Sequence, residues 1–185
     1  MDIFTAFGLS ASAGLNAYIP LLVVAVAARF TSWIELSSPW HTLESWWVIG
    51  VLMLLSLIEF FADKIPAVNH VNDIIQTFIR PVAGAVVFSA STQVSDVHPV
   101  LAMIAGLLVA GSVHVAKSAA VRPAVTATTG GAGNLPVSIM EDIVSTILSI
   151  LAIVIPVLIA AAIILIVSWI IWWMWRRSNR KSMLQ

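Results

Sequence analysis

The chain has 185 residues, 60% hydrophobic and 10% charged, with a mean hydropathy of +1.01; soluble domains carry about 25% charged residues, so the composition excludes a soluble domain and describes an integral membrane protein. The formal net charge is zero, which excludes the basic field that draws in nucleic acid. There is no Cys, which excludes a disulfide, a thiolate nucleophile and a thiol redox site.

The first residues carry Asp2 and no basic n-region, so a cleaved signal peptide is not expected. The first hydrophobic segment runs from Gly8 to Phe30. Its first half is small and polar, with Ser10, Ser12, Gly14 and Asn16, and its second half, Leu21 to Ala28, is plain apolar helix. Pro20 divides them. A backbone break within lipid must be buried in protein or line a cavity, and small residues admit a second helix at close range.

Thr31 to Ser45 is a loop without Lys or Arg, with Trp33 and Trp40 in it and Trp46 and Trp47 just after it, the composition of an interfacial belt. The second segment, Trp46 to Ala62, ends in "EFFADKIP". Ser56, Glu59 and Asp63 lie at offsets of three and four and share one helix face. The third segment follows "NHVND". Asp73, Gln76, Thr77, Arg80 and Gly84 form a polar or small stripe on it, and Pro81 is expected to bend it. His70 and Asp73 stand at i, i+3, a common polar spacing to which no metal is assigned.

The fourth segment starts at Pro99. Ala102, Gly106, Ala110, His114 and Ser118 recur every four residues, a small-residue seam with a His in it and Lys117 nearby. Then comes "TATTGGAGNLPVSIMED". Asn134 and Pro136 mark a helix start with free N–H groups. Ser138, Glu141, Asp142, Ser145 and Ser149 share one face of that helix, which should look into a bundle interior or a wet cavity. The phrase "SAGLNAYIP" near Asn16 is similar, and two interrupted segments in separate halves are the pattern of transporters built on inverted repeats. Gly130 to Pro136 is therefore expected to dip into the interior, with Asp142 below it on a polar-lined cavity near Asn16.

Ile143 to Trp175 has no charge and would make about 50 Å of helix at about 1.5 Å per residue, against a hydrocarbon core of about 30 Å. It is either one long kinked helix or two spans turning near Pro156. The acidic first loop belongs outside, and Lys64, Lys117, Arg122 and the tail "RRSNRK" belong inside, which favours six passes over five. The fold expected is an all-α, polytopic membrane bundle of five to six spans with broken or kinked helices. One transmembrane domain covers residues 1–175 and a basic cytoplasmic tail covers 176–185.

No enzyme signature is present: there is no H-E-x-x-H, G-x-S-x-G, P-loop or CxxC. No catalytic residue or cofactor is assigned. The conspicuous feature is charge inside apolar segments, each residue costing about 2.5–3.5 kcal/mol at a helix centre. Glu59, Asp63, Lys64, Asp73 and Arg80 are expected to form one ionic network. The wider pathway takes in Asn16, His114, Lys117, Arg122, Asn134, Glu141 and Asp142, with helix breaks at Pro20, Pro81, Pro136 and Pro156.

"SAGLNAYIPLL", "EFFADKIPAVNHVNDIIQTFIRPVAGA" and "TGGAGNLPVSIMED" resemble a bacterial membrane family known as domain of unknown function 4126, from about Ser10 to about Ile155. The resemblance implies a multi-pass fold in the bacterial inner membrane, and no substrate. The function expected from the residues is a small transporter or channel-like protein. In it Glu59, Asp63 and Asp142 bind protons or cations, Arg80, Lys117 and Arg122 neutralise them or bind an anion, and Asn16 and Asn134 supply amides at the breaks. The alternatives are an accessory subunit of a larger membrane assembly and, third, a lipid-handling protein. The partners expected are membrane lipid, an ion or small polar solute, and a second copy packed through the small-residue faces.

Overall fold

The computed structural model describes residues 3–36, 38–91 and 97–182, with side chains outside 66–70 and outside most of 157–182. The described residues are helical almost throughout: α1 (Ile3–Leu15), α2 (Tyr18–Phe30), a 3₁₀ turn (Trp40–Glu44), α3 (Trp46–Ala62), α4 (Pro66–Ser91), α5 (Pro99–Ala116), a π turn (Lys117–Val121), α6 (Arg122–Thr129) and α7 (Asn134–Ser182). Two compact units are present, Met1–Ile153 and Val154–Gln185. The division falls well before the basic run, and helix continues beyond Trp175 to Ser182.

Within the first unit, α1, α4 and α5 pack on one another, and α2 packs on α3. Small residues set the close approach. A Cβ on Gly84 would collide with Ala110 and with Gly106 O, and one on Gly106 would collide with Gly84 O and Phe88. Ser10 Oγ on α1 donates to Gly106 O at 2.8 Å and lies 3.3 Å from Gly84 O. The seam Ala102, Gly106, Ala110 and His114 is buried. It is occupied inside the chain, by α4 and α1.

Polarity is inverted relative to a water-soluble bundle. Ser10, Ser12, Asn16, Glu59, Arg80, Ser145 and Ser149 are buried, while Val51, Leu54, Leu57, Phe78, Leu101 and Leu108 are exposed. A polar interior inside an apolar shell suits lipid as solvent. Three described helices are long and apolar enough to cross a membrane: Val71–Ser91, Pro99–Thr129 and Asn134–Pro156. Three shorter ones, α1, α2 and α3, are apolar. Trp33, Trp46 and Trp47 are exposed, and the Arg29 guanidinium lies 4.2 Å from the Trp46 ring centroid, as in an interfacial belt.

The four prolines expected as breaks behave differently. Pro20 sits in the first turn of α2, and the break itself is at Asn16 and Ala17. Pro136 lies in the first turn of α7, where its missing N–H costs no helical bond. Pro81 and Pro156 lie inside assigned helix, so neither ends one, and no described turn interrupts α7 at Pro156.

Candidate functional site

The polar stripes of α3, α4, α5 and the first part of α7 converge on one another and on the break between α1 and α2. Arg80 is wholly buried. Its Nη2 donates to Glu59 Oε1 at 2.8 Å and lies 3.7 Å from Asp63 Oδ2, and its Nη1 lies 3.3 Å from His114 Nδ1. A guanidinium only donates, so His114 Nδ1 accepts and the ring proton is on Nε2. That nitrogen is 3.2 Å from Thr77 Oγ1, whose own proton goes to Asp73 O at 2.8 Å. The contacts fix His114 as neutral, a spacer between charges.

Arg122 makes a two-pronged bond to Asp73, at 2.9 and 3.0 Å, and reaches Asp63 Oδ2 at 3.4 Å and Glu141 Oε2 at 3.3 Å. Lys117 Nζ lies 2.7 Å from the same Glu141 oxygen. In a regular α-helix residues five apart point about 140° from each other. The π turn over Lys117–Val121 closes a wider ring of backbone and brings Lys117 and Arg122 to one side, where both meet Glu141.

Asp63 receives the Asn72 amide at 2.6 Å and the Ser138 hydroxyl at 3.3 Å. Burial alone would raise its carboxyl, but Lys117, Arg80 and Arg122, with the Asn72 bond, hold it below the usual carboxylate value.

The break between α1 and α2 is wired into these charges on both sides. Asn16 Oδ1 accepts from the backbone N–H of Tyr18 and of Ile19, both at 3.1 Å, which satisfies donors at the start of α2. Its Nδ2 donates to Asp142 Oδ1 at 3.0 Å, and Asp142 Oδ2 takes Lys64 Nζ at 3.2 Å. On the other side Lys117 Nζ donates to Leu15 O, the last carbonyl of α1, at 3.1 Å. Below Asn16 the serine stripe of α7 meets α1: Ser12 Oγ lies 2.7 Å from both Ser145 Oγ and Ser149 Oγ.

Asn16, Glu59, Asp63, Asp73, Arg80, His114, Lys117, Arg122, Glu141 and Asp142 are thus brought together. Lys64 belongs with them, but it reaches across to α7 instead of clasping α3 to α4. Asn134 does not belong. Its amide donates to Thr126 Oγ1 at 2.9 Å on the exposed side. Gly130, Ala132, Leu135 and Pro136 are exposed, so the expected dip of this loop into the interior is corrected. With positive φ at Gly130 and Gly131 the chain turns out of α6 and straight into α7 at the surface. The two Asn-Pro phrases therefore do different work, which removes the basis for an internal repeat.

The groove beside the charges is not the polar-lined one expected. A groove of about 390 Å³ borders Lys117 and Glu141, but its other walls are apolar, Leu15, Val113, Met140 and Val144 among them. The side chain of His70, the other half of the His70/Asp73 pair, lies outside the described residues. Among the described residues no group of three or more His, Asp or Glu is arranged to hold a metal ion.

Asn72, Gln76 and Tyr18 were not singled out as site residues. Asn72, Gln76 and Arg80 recur every four residues on α4, and that spacing was the available signal. Tyr18 lies within electrostatic reach of Glu59 and Arg80 and beside Gln76, and no sequence pattern pointed to it. Glu59 Oε2, Gln76 Oε1 and Arg80 Nε are buried without a hydrogen-bond partner.

No curated protein and no solved structure matches the chain. The family model described as Domain of unknown function (DUF4126) matches residues 3–177, and the chain belongs to that family.

Proposed function

We propose that the protein is a small multi-pass transporter of the bacterial inner membrane, passing an ion or small polar solute through the charged centre between α3, α4, α5 and α7. One observation carries this reading. The centre holds five carboxylates, Glu59, Asp63, Asp73, Glu141 and Asp142, against four cations, Lys64, Arg80, Lys117 and Arg122, among the described residues. An ion-pair clasp has no need of an excess charge, and an unneutralised charge at membrane depth is costly. One excess negative charge suits a centre that binds a cationic species in part of its cycle.

The break at Asn16 supports the same reading. It brings a helix end and a helix start to the charges, as transporters do at a midplane site. The side chains that satisfy the break, Asn16 and Lys117, are partners of Asp142 and Glu141, so a change in the charge of either acid acts on the break directly. A short α2 and the neighbouring α1 together make one pass in this reading, and α3, α4 and α5 make three more. Residues 134–175 make the fifth or the fifth and sixth.

The accessory-subunit reading is favoured by the density of pairing: Arg122 alone touches three carboxylates. Flux of protons and monovalent cations in proteoliposomes of the purified chain separates the two. A transporter carries at least one of them, and an accessory subunit carries none on its own.

A further inference from the structure

The excess charge can be placed more closely. Glu59, Gln76 and Arg80 are 1%, 2% and 0% exposed. Arg80 Nη2 occupies one oxygen of Glu59, while Glu59 Oε2 and Gln76 Oε1 are both unpartnered acceptors. Gln76 stands one turn before Arg80 on the same face of α4. Tyr18, from α2, is the neighbour that Glu59 and Gln76 share: it lies within electrostatic reach of Glu59 and beside Gln76. A buried acceptor without a donor forfeits a hydrogen bond, and a proton on one of the two would supply the missing donor.

Resting on the transport reading, we propose that Glu59 is an occluded proton-binding site: the carboxylate takes up one proton at Oε2, and the resulting O–H donates to Gln76 Oε1. Mass and charge balance. One proton is gained, one O–H bond forms, and the centre passes from one excess negative charge to neutrality. A metal cation in the same place would face the Arg80 guanidinium at contact range, whereas a proton on Glu59 leaves only a neutral acid beside it. The groups that face Glu59 are Arg80 from α4, Asp63 from the end of α3, Lys117 from the end of α5 and Tyr18 from α2, with His114 behind Arg80. Protonation removes the acceptor's charge from the Arg80–Glu59 bond, which weakens it, and leaves Asp63 as the anion against Arg80 among the described residues. The transported species of the centre is then the proton.

Infrared difference spectroscopy on the full chain in liposomes tests this. The expected result is a carboxylic-acid carbonyl band that titrates, is lost in Glu59→Gln, moves in Gln76→Ala as the hydrogen bond goes, and persists in Asp142→Asn. A band that survives Glu59→Gln overturns the proposal. The chain has only four glutamates, Glu35, Glu44, Glu59 and Glu141. If Glu59→Gln does not fold, the wild-type chain labelled with ¹³C at its glutamate carboxyls answers instead. One labelled carboxyl should titrate apart from the rest, and four carboxyls titrating together overturn the idea. The two readings fail separately. Titration of Glu59 without proton flux keeps the site and removes transport, while proton flux with Glu59 ionised throughout keeps transport and removes the site.

Discussion

Asn16 and Asp142, 126 positions apart, share a hydrogen bond of 3.0 Å across the interior of the bundle. The same Asn16 side chain caps α2 through its oxygen. One residue therefore both ends a helix break and holds a carboxylate, and loss of its amide should be felt in both places. Replacing a capping Asn by Ala costs about 0.5–2 kcal/mol, and the orphaned Asp142 oxygen adds to it. Asn16→Ala should lower the melting temperature in detergent more than Asn134→Ala, whose side chain bonds only Thr126 on the exposed side. Equal losses would contradict the assignment of Asn16 to the centre.

Arg80 is the cation with least access to water, and its removal leaves Glu59 Oε1 and His114 Nδ1 without a donor. Breaking a buried pair from one side costs about 3–5 kcal/mol. Arg80→Ala should therefore be strongly destabilised, and Arg180→Ala, in the basic run near the end of α7, should melt within error of wild type. Thermal denaturation in detergent with both variants side by side checks this.

Gly84 and Gly106 let α4 and α5 meet backbone to backbone. Overpacking a close-packed site costs about 1–3 kcal/mol or more, and here the atoms in the way are main chain and cannot move aside. Gly106→Leu should abolish the monodisperse folded species on size exclusion. Gly50→Leu should not, since a Cβ there meets nothing.

How much of this was legible in sequence follows from how local each signal is. The seam on α5 and the stripe from Ser138 to Ser149 are periodic within one helix, so their buried faces could be read directly. The ion pairing could be read in part. Charges in apolar segments must find partners, but partner choice depends on how α7 lies against α3, and so Lys64 pairs with Asp142 on α7 and not within the network expected between α3 and α4. Nothing in "KSAAV" announces the extra backbone residue of the π turn, yet that turn decides that Arg122 reaches Glu141. The Asn134 loop was misread because Gly, Asn and Pro punctuate a surface turn as well as an intramembrane break. Only the neighbours, Thr126 for Asn134 and Asp142 for Asn16, tell the two apart.

Asp63 gives the pH dependence. Its carboxyl is held below the ordinary value in the folded chain, so the folded state binds the proton more weakly than the unfolded one. Its contribution to stability is fully present above the unfolded value, about 3.9, and is lost as pH falls through the depressed folded value. Asp63→Asn should therefore be less stable than wild type at neutral pH, with the gap narrowing in acid below about pH 3.9. Melting curves across that range check the sign, and a gap that stays constant or widens in acid would contradict it.

In the proposed function the charged centre moves an ion. The direct measurement is proton flux into proteoliposomes of the purified chain, followed with an entrapped pH-sensitive dye under an imposed pH gradient, for wild type, Glu59→Gln and Arg180→Ala. Flux above empty vesicles is expected for wild type and Arg180→Ala, with at least a tenfold loss for Glu59→Gln. Flux by none of the three, from chains shown to be folded and inserted, with monovalent cations equally excluded, would contradict it and leave the ion pairs as a structural clasp.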